Sequence, residues 1–227
     1  TPFFRKKLVD VISSLPEKIF IADSRNFMED YTGAYRKMND SEAARLCGIA
    51  KQPGEIISRN EVLEFASQLN LRFGKPVFIT RGGNGSVVAG ENGITEVPGL
   101  MIISPTDTVG AGDSYLAGAA ATLAAGYSLE TAALLGTYTA GVTVQKLYQT
   151  GTASPEEIIA IGSSPDFSYN PDIASDIRHA EYHGGTEIEI IKKPDEKLKV
   201  KYAVFDNDGT ISALREGWEH IMAPMMI

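Results

Sequence analysis

Apolar and polar positions alternate along this chain with two periods, and the periods take turns. Helical spacing runs from Phe4 to Leu15, a short apolar strand follows at Lys18 to Ala22, and helices are predicted over Asp40 to Cys47 and Arg59 to Arg72. Pro76 to Thr80 reads as a buried strand. It leads through the turn Arg81 to Gly85 into two further short strands around Ser86 to Ala89 and Ile94 to Val97. A small-residue helix then runs from Asp113 to Ala125, and a second helix spans Ser128 to Gln145 with Ser128 as its N-cap. A third helix opens at Ser154-Pro155-Glu156-Glu157. Strands alternating with helices imply βαβ units around a mostly parallel sheet, with the site at the loops that leave the strand ends.

The pattern changes at Gly162 to Asp176, where Ser, Pro, Asp and Asn replace the apolar periodicity, and this predicts a domain boundary. Expected domains are therefore 1–162, a linker over 163–198 with a short strand at Glu187 to Lys192, and the start of a second domain over 199–227. A strand at Lys199 to Phe205 opens that second domain.

Composition narrows the function more than the fold. A net charge of −8 in 227 residues argues against a nucleic-acid or anionic-membrane binder, since phosphate backbones recruit clustered Lys and Arg. No apolar run approaches the roughly 20 residues that span a bilayer. The single cysteine, Cys47, forms no intramolecular disulfide and fits a reducing compartment, so the expected location is cytoplasmic. The chain begins at Thr1 without an initiator Met, which leaves a targeting signal upstream open. His179, His183 and His220 lack metal-ligand spacing.

The candidate chemistry is concentrated in Asp107-Thr-Val-Gly-Ala-Gly-Asp113, a glycine turn that opens a helix. The first amides of a helix lack intrahelical partners and carry partial positive charge, so Gly110, Ala111 and Gly112 can let a phosphate approach bare backbone. A carboxylate at Asp113 gains nothing from that anion. A phosphoryl-transfer enzyme needs one to accept the proton of the attacking hydroxyl. Three further segments belong with the turn. Asn39 and Glu42 stand three residues apart at a helix start, where they fit one pocket or, equally, a capping box. Thr80, Gly82 and Gly85 leave a strand as T-x-G-x-x-G, a nucleotide turn or an ordinary strand exit. Thr143 and Val144, late in the second helix of the pair, are placed to line an adenine pocket.

In these motifs, and in their order, the segment from Thr1 to about Ile161 resembles the ribokinase-like (PfkB-type) carbohydrate kinases. The resemblance implies an α/β ribokinase-like fold of three α/β/α layers, with ATP and Mg2+ as cofactors and a sugar or sugar phosphate as the small-molecule partner. A homodimer is kept open. It implies Asp113 as the base and the Gly110, Ala111 and Gly112 amides as the charge-stabilising cradle. Asn39 and Glu42 hold magnesium and phosphates largely through water, and Thr80, Gly82 and Gly85 touch the nucleotide. Asp107 and Val109 fall where some members bind a monovalent cation. Ala22-Asp23-Ser24-Arg25 with Tyr31-x-Gly33 resembles, more narrowly, the heptose-phosphate kinase branch.

A second resemblance lies at Tyr202 to Thr210, where an apolar strand ending in Asp206-x-Asp208-Gly209-Thr210 is similar to the first motif of the haloacid dehalogenase-like phosphohydrolases. It implies Asp206 as nucleophile and Asp208 as general acid and base, with magnesium between them, in an incomplete Rossmannoid segment. The alternative is an Asp-rich strand exit turning at Gly209. The expected function is an ATP-dependent kinase from a kinase–phosphatase fusion. Its rivals are a phosphatase with a degenerate kinase half and a nucleotide-binding module without catalysis.

Overall fold

The computed structural model describes residues 1–51, 55, 57–102, 104–149, 151–167 and 201–205. The chain forms two compact units, Thr1–Glu189 and Ile190–Ile227.

The first unit opens with α1 (Pro2–Ser14), capped by the Thr1 hydroxyl and started by proline at its first position. None of its residues is buried, and Phe3 and Phe4 face outward. Five strands follow in one sheet, in spatial order β1 (Ile21–Asp23), β2 (Tyr35–Asn39), β3 (Val77–Thr80), β4 (Ser86–Gly90) and β5 (Gly93–Val97). The expectation of a mostly parallel sheet needs correction. β1, β2 and β3 are parallel, whereas β3–β4 and β4–β5 are antiparallel, so the sheet is mixed. The reason is connection length: five residues join β3 to β4 and two join β4 to β5, too few for the crossover that a parallel pair requires.

Alternation along the central strands sorts the core into two layers. Val77 and Ile79 of β3, with Val87 and Ala89 of β4, face α2 (Asp40–Leu46) and α3 (Arg59–Phe73), where Ala43, Val62, Phe65 and Leu69 meet them. Phe78 and Val88 point the other way, onto Tyr115 and Ala119 of α4 (Ala111–Ala124) and Ala132 and Ala133 of α5 (Leu129–Thr143). This is a sheet between two helical layers, the three-layer arrangement expected. The small residues of α4 and α5 serve their mutual contact: a Cβ on Gly118 would run into the Thr139 hydroxyl. A final helix, α6 (Pro155–Ser163), is closed by a capping box between Ser154 and Glu157 and packs on α5.

Strand β2 was not among the expected elements. Its sequence, Tyr-Arg-Lys-Met-Asn, puts two cations where a central strand should be apolar, yet Arg36 and Lys37 are both buried. Arg36 donates to the carbonyls of Met28, Tyr31 and Ala34 and stacks 3.8 Å from the Phe73 ring. Burial lowers its pKa to about 10, which still leaves it charged at neutral pH. The guanidinium thereby ties the β1–β2 connection to the sheet.

In the second unit, residues 201–205 take no strand conformation, with Tyr202 and Val204 91% and 99% exposed, so the strand expected there is corrected over those residues. The strand expected at Glu187 to Lys192, and Asp206 and Asp208, lie outside the described residues.

Candidate active site

The parallel strands β1, β2 and β3 end on one side of the sheet, at Asp23, Asn39 and Thr80. The turn before α4 meets them there. Gly110 is the N-cap of α4 at φ +79°, a left-handed conformation that a side chain would strain, and no side chain caps the helix. The Ala111 amide is used locally, donating to the Thr108 carbonyl at 3.2 Å. The amides of Gly110, Gly112 and Asp113 find no partner among the described residues, so they are the donors left for an anion. Asp113, in the first turn, is exposed and forms no hydrogen bond among the described residues.

A cavity of about 290 Å³ opens beside this turn, lined by Thr80, Gly82, Gly85, Ala111, Gly112 and Val144, with Leu100, Tyr115, Ala140 and Gly141 as its apolar wall. Six residues assigned to phosphate or nucleotide from sequence thus share one cavity. Thr143 does not line it. That residue is 1% exposed, its hydroxyl lies 2.9 Å from Ser114 Oγ and 3.0 Å from the Thr139 carbonyl, and it joins α5 to α4 instead. Its neighbour Val144 takes the wall position. Tyr115 donates its hydroxyl to Ser86 Oγ at 3.0 Å, and burial pushes its pKa upward. The wall is therefore rigid and neutral.

Asn39 and Glu42 form a capping box at α2: the Glu42 amide donates to Asn39 Oδ1 at 2.8 Å, and the Asn39 amide donates to Glu42 Oε2 at 3.0 Å. Glu42 Oε1 is 3.9 Å from Arg25 Nε. No cluster of three or more metal-ligating side chains occurs among the described residues. Asn39, Glu42 and Asp113 carry oxygen donors of the kind magnesium takes, an ion held by few carboxylates that completes its shell with water and phosphate. Asp107 accepts the Val109 amide at 3.0 Å and donates its own amide to the Val144 carbonyl at 2.7 Å, which fixes the approach to the turn.

One residue of this site was missed from sequence. Lys37 is two positions before Asn39 on β2. Its ammonium lies 2.8 Å from Asp23 Oδ2, and a Cβ built on Gly112 would sit 2.7 Å from it. The signal was the two-residue spacing, which gives Lys37 and Asn39 the same side of a strand, but it counts only once β2 is known to be a strand.

The sequence profile of the pfkB family carbohydrate kinases matches residues 31–157. The chain belongs to that family. Among curated relatives, this pfkB family member is 31% identical over 141 residues to the bifunctional protein HldE of Gluconobacter oxydans (strain 621H), covering 62% of this chain and 28% of that protein. It is 29% identical over 144 residues to an uncharacterized sugar kinase of Buchnera aphidicola subsp. Schizaphis graminum, covering 63% of this chain and 44% of the relative. Phosphofructokinase-2 of Escherichia coli, solved with potassium, superposes with a TM-score of 0.58 at 22% identity over 70% of this chain and 52% of that one. Ribokinase of Thermotoga maritima gives 0.54 at 21% identity over 69% and 54%. The fold is thus ribokinase-like, and the chain spans about half the length of these solved structures and less than half of the curated relatives. No helix among the described residues is long and apolar enough to cross a membrane.

Proposed function

We propose that this chain carries the phosphoryl-transfer half of an ATP-dependent kinase acting on a hydroxyl of a sugar or sugar phosphate. The observation that carries the reading is Asp113: an exposed carboxylate in the first turn of a helix with no side-chain cap, next in sequence to Gly112, which lines a cavity walled by apolar side chains. The apolar wall of the cavity and the glycines of the Thr80 to Gly85 turn receive the nucleotide. Asp113 takes the proton of the acceptor hydroxyl as the new O–P bond forms, and the bond from the γ-phosphorus to the bridging oxygen breaks to release ADP. The amides of Gly112 and Asp113 face the charge gathered on the transferred group, with Gly110 giving the turn its shape. Magnesium supplies charge neutralisation between the phosphates when bound, and Asn39 and Glu42 would hold it through water. Asp107 and Val109 would offer oxygen atoms to a monovalent cation of the kind named with the E. coli relative. The Asp23-Ser24-Arg25 and Tyr31-x-Gly33 pattern supports a phosphorylated heptose as acceptor.

The test is ADP formation across a panel of sugars and sugar phosphates, heptose phosphates included, with Asp113→Asn beside the wild type. Loss of about a hundredfold or more in turnover is expected. Turnover within about tenfold of wild type removes Asp113 as the base, and ATP binding with no ADP formed on any acceptor favours a non-catalytic module.

The Asp206-x-Asp208-Gly209-Thr210 run supports a second reading, in which a longer chain joins this kinase to a phosphatase and is cytoplasmic. Phosphate release from sugar phosphates without ATP, abolished by Asp206→Asn and untouched by Asp113→Asn, is its signature.

A further inference from the structure

We infer that Lys37, held in place by Asp23, contacts the terminal phosphoryl group of the nucleotide at the Gly110–Asp113 turn. The inference rests on the kinase reading above and adds to it a cationic residue that lies outside the glycine turn and the Asn39–Glu42 pair.

The geometry is that of a cation delivered to an anion site. The Lys37 side chain is 8% exposed and reaches from β2 to the start of α4, so that its ammonium occupies the space a Cβ on Gly112 would need. An ammonium has three N–H donors. One goes to Asp23 at 2.8 Å, and the other two have no partner among the described residues. Donors left unfilled in so buried a place are costly, and the cost is relieved by an acceptor arriving with the ligand. Next to the ammonium are the unpaired amides of Gly112 and Asp113 at the positive end of α4. Backbone and side chain therefore bring unfilled donors together at the start of α4.

A purely structural ion pair would not need this placement. Asp23 sits at the end of β1, directly beside Lys37 in the parallel register, and could be met by a side chain lying along the sheet. The ammonium instead stands against the turn. Asp23, 27% exposed, offsets the lysine charge while no ligand is bound and fixes its direction. A triphosphate then gains a charge-assisted hydrogen bond to a group already oriented. The same chemistry would suit the phosphate of a sugar phosphate. The donor nucleotide is favoured because Gly112 also lines the 290 Å³ cavity that the nucleotide turn Thr80 to Gly85 shares.

The test is calorimetry on the whole chain with magnesium, titrating ATP, ADP, adenosine and a hexose 6-phosphate into wild type, Lys37→Met, Lys37→Arg and Gly112→Ala. Lys37→Met is expected to weaken ATP about tenfold or more, as for a hydrogen bond to a charged group, while adenosine stays within twofold and so reports an intact fold. Lys37→Arg should restore part of the loss, and Gly112→Ala should mimic it by displacing the ammonium. An equal loss for adenosine and ATP would make the lysine structural, and ATP affinity within twofold of wild type would overturn the contact. A loss confined to the hexose phosphate would assign the lysine to the acceptor and overturn the inference as stated. No binding of ATP by the wild type would instead overturn the kinase reading on which the inference stands.

Discussion

Asn39 and Glu42 are bonded to each other twice, each side chain accepting the other's backbone amide at 2.8 and 3.0 Å. The pair proposed to hold magnesium is therefore the cap of α2, and the two roles that look like alternatives in the sequence can share the same side chains. They are compatible because a carboxylate has about four acceptor sites, and the cap uses part of one oxygen.

The two roles separate by substitution. Glu42→Gln keeps an amide oxygen for the Asn39 amide, so stability should change by no more than about 0.5 kcal/mol, since Gln also closes a capping box. The magnesium concentration for half-maximal ADP formation should rise about tenfold, as for the loss of a group that supports a bound metal. Glu42→Ala should lose both, with about 1 kcal/mol of stability gone in urea unfolding. Equal magnesium dependence in wild type and Glu42→Gln would leave Glu42 as a cap alone.

Where local chemistry decides an element, the sequence displays it. Ser58, Ser128 and Ser154 each accept the expected N3 amide at the starts of α3, α5 and α6, and the Gly110 turn is legible from residue types because only a few conformations open a helix that way. β2 was hidden because its buried cations are satisfied by groups outside the strand: the Met28, Tyr31 and Ala34 carbonyls and the Phe73 ring for Arg36, and Asp23 for Lys37. No periodicity records such partners. Strand direction, by contrast, was legible and overlooked, since the predicted bounds already leave connections between β3, β4 and β5 too short for a parallel crossover. Thr143 was misplaced because one residue of helix rotation, about 100°, separates the cavity wall from the α4 contact.

Acid should weaken the cap that starts α3. Burial alone would raise the Glu61 pKa, but hydrogen bonds from Lys51 and from the amide and hydroxyl of Ser58 outweigh it and bring the carboxyl down to about 2. A depressed carboxyl stabilises the fold above its unfolded pKa of about 4.5 and loses that contribution as pH falls through its folded value. The contribution should decline between about pH 4.5 and 2. Glu61→Gln should flatten this part of the stability curve while costing about 1 kcal/mol at neutral pH, measured as urea midpoint against pH. A curve parallel to wild type would show that other carboxylates govern acid unfolding.

The contact between Tyr115 and Ser86 joins the nucleotide wall to the sheet. Tyr115 donates to Ser86 Oγ at 3.0 Å inside the core and meets Phe78 edge to face at a centroid distance of 6.4 Å. Tyr115→Phe keeps the ring contact and leaves the buried Ser86 hydroxyl unmatched, at a cost of about 1 kcal/mol. Ser86→Ala should cost a similar amount, by leaving the tyrosine hydroxyl unmatched. The double variant removes both polar groups, so its loss should be smaller than the sum of the two, a coupling readable by a urea double-mutant cycle.

The α4–α5 contact sets how far the phosphate turn stands from the strand ends, and Gly118 decides that distance. A side chain there meets the Thr139 hydroxyl and the Leu135 carbonyl, and neither can move without shifting α5. Gly118→Val should therefore push α4 outward, with overpacking that costs about 1 to 3 kcal/mol. Because Gly110 to Asp113 lie at the end of the same helix, the displacement reaches the turn. Turnover should fall further than nucleotide affinity, since placing the reacting groups is more sensitive to small shifts than binding is. A change confined to stability, with turnover intact under conditions where the variant is folded, would mean that the turn is held by its own bonds, Asp107 to Val144 and Ala111 to Thr108, rather than by the packing beneath it.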